Sequence, residues 1–187
     1  MTHKSTASTK RIVFTALMAA LTVAGSALRI TIPVDIAGTT SFHLGNIMCA
    51  LSGILLGPWY GALAAGLGSA IYDMLNPLYI SEAWITFLTK GAYGLAAGII
   101  CRKAGWNYAR ATIATVAGAL TYAALYLAKT YFYSGMLLKG LTAEAAALTV
   151  VTKLPATTFN AVVAIVFAPI LAISIRTALE KNRLTLD

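Results

Sequence analysis

Residues 42–75 read FHLGNIMCALSGILLGPWYGALAAGLGSAIYDML, and the fold turns on how this stretch divides. It holds two apolar runs, residues 44–56 and 59–75, separated only by the turn pair Gly57-Pro58 and stopped at Asn76-Pro77. Neither run alternates polar and apolar residues as a barrel strand would. Backbone amides cannot stay unpaired in hydrocarbon, so both are read as helices. The polar residues His43, Gly45 and Asn46 stand where the first of them begins.

Working outward, the whole chain has the same character. Of its 187 residues 59% are hydrophobic and 11% charged, and the mean hydropathy is +0.78. A soluble domain carries about a quarter charged residues, so this composition belongs to a bilayer. A spanning helix needs about 20 mostly apolar residues. Further apolar runs cover residues 12–30, 83–101, 111–132 and 143–175, the last containing Pro155. Pro33 and Gly38 mark a loop after the first run. The expectation is an all-α integral membrane protein: one domain over residues 1–187, a bundle of six transmembrane helices with both termini cytoplasmic. Residues 1–11 then form a cytoplasmic tail and not a cleaved signal.

Charge placement tests that arrangement. The net charge is +8, but the basic residues cluster at segment ends and form no stripe interleaved with aromatics, which argues for membrane orientation and against nucleic acid. With the N-terminus inside, Lys4, Lys10, Arg11, Arg102, Lys103, Arg110, Arg176, Lys181 and Arg183 are cytoplasmic. The opposite side holds Arg29, Lys129 and Lys139, offset by Asp35, Glu82 and Glu144. This is the positive-inside bias.

Catalytic signatures are missing. The sequence has no GxxxxGK[ST] phosphate loop, no HExxH, no GxSxG and no Cys/His ligand set. Cys49 and Cys101 sit in apolar runs without a metal or redox spacing. No metal and no cofactor is expected. Small residues recur at helical spacing instead: Ala16, Ala20 and Ala24 in the first run, Gly53, Gly57 and Gly61, then Gly94 and Gly98. Such rows let helices approach closely in lipid.

Polar residues gather at the non-cytoplasmic ends of the helices. They are His43 and Asn46, then Tyr72, Asp73 and Asn76, then Glu82, Trp84 and Lys90, then Tyr126, Lys129, Tyr131 and Tyr133, then Lys153, Thr157 and Asn160. An ionisable group within a span is costly and marks function by default. A cluster of tyrosine, tryptophan, lysine and asparagine without a triad or metal set suggests capture of a small polar organic molecule. Arg29, His43, Lys90, Lys129 and Lys153 against Asp73 and Glu82 give this region a positive lean, suited to a ligand with a carboxylate or several acceptors. Two other classes compete. A small membrane enzyme acting on a lipid needs a carboxylate pair or nucleophile on the cytoplasmic side. A ligand-free scaffold subunit leaves Lys90 and Lys153 unexplained.

These residues resemble a known family. The stretch of residues 42–75, with ALMAA (residues 16–20), ITFLTKGAYGLAAGI (residues 85–99) and a proline-containing last helix, is similar to the substrate-binding S components of energy-coupling factor (ECF) vitamin transporters. The resemblance implies a six-helix fold in the bacterial cytoplasmic membrane and a vitamin-sized ligand, of the pantothenate, hydroxymethylpyrimidine or riboflavin class, bound near the outer face. It also implies partners: a transmembrane coupling protein, met through Ala16, Ala20 and Ala24, and two cytoplasmic ATPases. The ligand site it implies comprises Phe42, His43, Asn46, Tyr72, Asp73, Trp84, Lys90, Tyr126, Lys153 and Asn160.

Overall fold

The computed structural model describes residues 3–34, 38–102 and 107–182; Asp35, Lys103 and Arg183 of the charge count lie outside them. The described residues form α1 (His3–Ala27), β1 (Arg29–Val34), β2 (Gly38–His43), α2 (Gly45–Leu56), α3 (Pro58–Met74), α4 (Ala83–Arg102), α5 (Tyr108–Lys129) and α6 (Ala143–Lys181). A single 3-10 turn, Ile80–Glu82, leads into α4, and a π-helical stretch, Thr130–Leu138, prolongs α5.

Five stretches are long and apolar enough to cross a membrane: Thr9–Ala27, Gly45–Met74, Ile80–Cys101, Tyr108–Leu138 and Ala143–Lys181. The second contains both α2 and α3. The chain reverses inside it at Gly57, whose φ of +78° only glycine adopts without strain, and Pro58 starts α3 where no backbone donor is needed. The reversal brings Gly61 against Gly53: a methyl group added at Gly61 would stand 2.5 Å from the Gly53 Cα.

α2 is the centre of the molecule. Ten of its twelve residues are buried, and it packs against α1, α3, α4, α5 and α6. At about 18 Å it is shorter than the hydrocarbon layer, which protein on its sides permits, since it need not satisfy lipid along its length. Glycines lock α2, α3 and α4 together. A methyl at Gly53 would meet the Gly94 carbonyl oxygen at 2.3 Å, one at Gly94 the Gly61 carbonyl oxygen at 2.6 Å, and one at Gly98 the Pro58 nitrogen at 2.5 Å. Helix α1 buries Met18, Thr22 and Ser26 and leaves Ala16, Ala20 and Ala24 exposed beside Ile12, Val13, Leu17 and Leu21.

Three expectations from the sequence need correction. The first helix was expected to reach Ile30 with a loop around Pro33 and Gly38, whereas Arg29–Val34 and Gly38–His43 form an antiparallel hairpin, with Arg29 opposite His43 and Thr31 opposite Ser41. Pro33 is tolerated because a two-stranded ribbon has free edges. His43 ends a strand and does not open a helix. The helix read as residues 111–132 begins at Tyr108 and runs on, through the π-helical turns, to Leu138.

Candidate ligand-binding site

The hairpin lies over one end of the bundle. Beneath it is a cavity of about 110 Å³, room for several water molecules. Every helix but α2 contributes to its wall: Ser26, Arg29, Ser41 and His43 from the end of α1 and the hairpin, Ser69 and Asp73 from α3, Thr86, Thr89 and Lys90 from α4, Tyr122, Tyr126 and Lys129 from α5, and Lys153, Thr157 and Asn160 from α6. Tyr79 and Glu82 close it from the α3–α4 connection.

Two of its wall residues, Tyr122 and Tyr126, belong to a ladder of tyrosines that continues into the bundle as Tyr93. Tyr93 and Tyr122 stack with ring centres 6.0 Å apart, and Tyr122 and Tyr126 at 5.4 Å. The Lys90 ammonium sits 3.8 Å from the centre of the Tyr122 ring and donates to Asn46 Oδ1. A cation on an aromatic face keeps part of its electrostatic stabilisation when water is removed, which is how Lys90, only 5% exposed, is held inside the bundle.

Arg29 is held in a similar way at the rim. Its guanidinium lies over the Tyr72 ring at 4.2 Å and the Tyr79 ring at 5.0 Å, and its Nε donates to the Ser26 carbonyl at 2.8 Å. Lys129, by contrast, pairs directly with Glu82, whose other carboxylate oxygen accepts from Ser134 in the π-helical stretch.

The hairpin is fastened by two side chains. Asn160 Oδ1 accepts from the His43 amide and its Nδ2 donates to the Ser41 carbonyl, each at 2.9 Å, so the carboxamide pairs with β2 as a neighbouring strand would. The Ser41 hydroxyl also lies 3.3 Å from the Tyr79 hydroxyl. The Gly45 amide donates to His43 Nδ1 at 3.1 Å, so that nitrogen is an acceptor and the proton of the neutral ring belongs on Nε2. Burial, with the charges of Lys90 and Arg29 behind it, holds the imidazole well below its ordinary range.

Of the residues named from sequence, the structure brings His43, Asp73, Lys90, Tyr126, Lys153 and Asn160 to the cavity wall. Asn46 stands one layer behind, holding Lys90, and Tyr72 stands under Arg29. Phe42 points the other way along the strand and packs edge-on against Phe159 at 5.1 Å. Trp84 is not at the wall: it is 55% exposed and its indole donates to the Tyr133 hydroxyl at 3.1 Å. The α4 face that lines the cavity carries Thr86 and Lys90, and Trp84 lies about a third of a turn or more from it on the helix. Tyr122, one turn before Tyr126, is the main wall residue not named; the i, i+4 spacing of two tyrosines beside a lysine was its signal.

Comparison with known proteins then adds an independent line. Residues 6–177 match the family model described as "ECF-type riboflavin transporter, S component". A protein of Pyrococcus woesei named "Uncharacterized protein in gap 3'region" is 34% identical over 116 residues, 62% of this chain and 74% of that one. The solved structure of "the S-component for biotin from an ECF-type ABC transporter" superposes with a TM-score of 0.62 over 91% of this chain and 94% of the other, at 16% identity, a likeness of fold.

Proposed function

This chain belongs to the family of ECF-type riboflavin transporter S components, and on that footing we propose that it captures a small water-soluble vitamin or precursor from outside the cell in the cavity beneath the hairpin. As a member of the family it is a multi-pass membrane protein and a substrate-binding subunit of vitamin transport, not an enzyme. The observation that carries the ligand reading is the cavity itself, with Lys90, Arg29 and Asp73 brought from three separate elements to one wall. Charged groups within spans are costly unless they serve a site.

The candidate ligands are of the pantothenate, hydroxymethylpyrimidine or riboflavin class. The hairpin end of the bundle faces outward and both termini face the cytoplasm. The chain makes six passes, the second being α2, sheathed in protein. The tyrosine ladder offers flat faces to a ring or an apolar stem, and the cations and hydroxyls above it hold the polar end. Asn160 keeps the hairpin seated over the bound molecule.

Import is completed with a transmembrane coupling protein and two cytoplasmic ATPases. The exposed Ala16, Ala20 and Ala24 support α1 as the face that meets the coupling protein, because small residues without polar groups let another helix approach closely. The host membrane is the bacterial cytoplasmic membrane.

Native mass spectrometry of the gently purified chain tests the capture. A retained vitamin-sized mass that is lost on Lys90→Met is the expected result. ATP hydrolysis by the purified chain alone, or unchanged uptake in cells carrying Lys90→Met together with Lys153→Met, would overturn it.

A further inference from the structure

The cavity wall carries four cationic side chains, Arg29, Lys90, Lys129 and Lys153, against two carboxylates, Asp73 and Glu82. Their pairing is uneven. Glu82 is committed to Lys129 and to the Ser134 hydroxyl. Lys90 meets only neutral groups, the Asn46 amide oxygen and the Tyr122 face. Arg29 likewise meets the Ser26 carbonyl and the faces of Tyr72 and Tyr79. Among the described residues neither has a salt bridge. Asp73 shares the cavity with both and balances one of them at most.

The neutral groups add to the same bias. His43 has its Nδ1 occupied as an acceptor, so it presents an N–H to the cavity. Ser69 brings a hydroxyl that can donate, whereas the Thr89 hydroxyl donates to the Thr86 carbonyl and the Thr86 hydroxyl is bonded to Asp73. A buried cation held only by amide and aromatic dipoles keeps a strong demand for a counter-ion, because desolvation costs several kcal/mol that such dipoles offset only in part.

Resting on the reading of this cavity as a vitamin-binding site, we infer that its ligand carries an oxyanion, a carboxylate or a phosphate, received between Lys90 and Arg29. Within the vitamin classes named above, this selects acidic molecules over neutral ones. It makes Lys90 and Arg29 the residues that set specificity, with Asn46 holding the Lys90 ammonium until the ligand arrives. Hydrogen bonds to charged groups contribute about 1.5–3 kcal/mol, so a ligand lacking its anion should bind about ten- to a hundredfold more weakly.

The test is calorimetric titration of the full chain in lipid nanodiscs with matched pairs. Pantothenate against pantothenol and biotin against biotin amide probe a carboxylate; flavin mononucleotide against riboflavin probes a phosphate. The expected result is that the charged member of one pair binds at least about tenfold tighter than its neutral twin, and which pair responds tells carboxylate from phosphate. Lys90→Met should bring that ratio close to one, and Lys90→Arg should keep most of it. Arg29→Gln, at the rim in the hairpin, is the second variant should Lys90→Met fail to fold.

Binding of a neutral twin, with no pair in which the charged member binds tighter, would overturn the inference and leave vitamin capture standing. A wild-type protein that binds none of the six compounds, and holds no vitamin-sized mass in native mass spectrometry, would take down both. An undiminished ratio in both Arg29→Gln and a folded Lys90→Met would overturn the assignment of these two residues.

Discussion

The two ends of α2, α3 and α4 are built by opposite rules. Near Gly57 the three helices meet through glycine and alanine, with backbone against backbone and no room for a methyl at Gly53, Gly61, Gly94 or Gly98. Near the hairpin α3 and α4 bring Asp73 and Lys90 to the cavity wall, with Asn46 of α2 behind Lys90. In lipid no hydrophobic force holds helices together, so the close-packed end supplies van der Waals contact that the polar end gives up. The glycine seam is thus the close-packed part of the bundle, and the cavity end the loosely packed one.

The largest effect should come from forcing the two ends to resemble each other. Gly53→Leu puts a branched side chain where even a Cβ would stand 2.3 Å from the Gly94 carbonyl oxygen and 2.9 Å from the Ala97 Cβ. Overpacking usually costs about 1–3 kcal/mol when side chains can yield; here a backbone would have to move. The expected outcome is loss of the monodisperse peak in size-exclusion chromatography. Gly91→Ala, whose methyl would meet only the Ala62 carbonyl oxygen at 3.4 Å, should elute like the wild type. Equal behaviour of the two variants would show that the seam does not hold the bundle.

At the polar end the comparison sharpens around Glu82. Lys129→Met leaves that carboxylate without its cation. Breaking a fully buried pair costs about 3–5 kcal/mol, and because the Glu82 side chain keeps 21% of its exposure about 2 kcal/mol is expected, a fall of about 4–8 °C in melting temperature. Adding Glu82→Gln should restore more than half of the loss, since a neutral amide needs no counter-ion. A double variant no better than the single one would mean that Lys129 acts by packing and not by charge.

Asn160→Ala should be smaller in stability and visible mainly in binding. It deletes the two hydrogen bonds that seat β2 while leaving the seam untouched. With about 0.5–1.5 kcal/mol for each bond, ligand release measured by stopped-flow should quicken about tenfold with a fall in melting temperature of only about 2–4 °C. A large drop in melting temperature instead would make Asn160 part of the scaffold.

How much of this the sequence disclosed divides along the same line. The spans and the glycine rows were legible because length, hydropathy and small-residue spacing are local properties. The hairpin was not: in RITIPV and GTTSFH, Pro33 and Gly38 look like punctuation, and the alternation of Ile30 and Ile32 with Arg29 and Thr31 is too short to stand out beside a long apolar run. Six residues of the cavity wall were legible as polar groups at one depth. Trp84 and Phe42 were not separable from them, because depth is read from position along the chain whereas facing depends on a helix rotation or strand register that neighbours decide. Arg29 and Lys129, counted toward the positive lean of this region but not among the ligand contacts, prove to be wall residues.

The smallest effect expected is a pH slope from His43, and it belongs to the polar end alone. An ordinary imidazole titrates near pH 6.5, whereas burial first, then Lys90 and Arg29, hold this one well below that. Below about pH 6.5 the unfolded chain takes up a proton that the folded chain refuses, so the stability present above that pH is lost as pH falls. Between pH 7 and pH 5.5 the loss should be about 1 kcal/mol. In thermal melts across that window His43→Asn removes the titrating group, and its carboxamide oxygen is able to take over the bond from the Gly45 amide. The difference between wild type and variant therefore isolates the imidazole from the carboxylates, which titrate alike in both. A variant that loses melting temperature as steeply as the wild type would mean that His43 stays neutral in neither state more than the other, and that the cations lie too far from it to define the site.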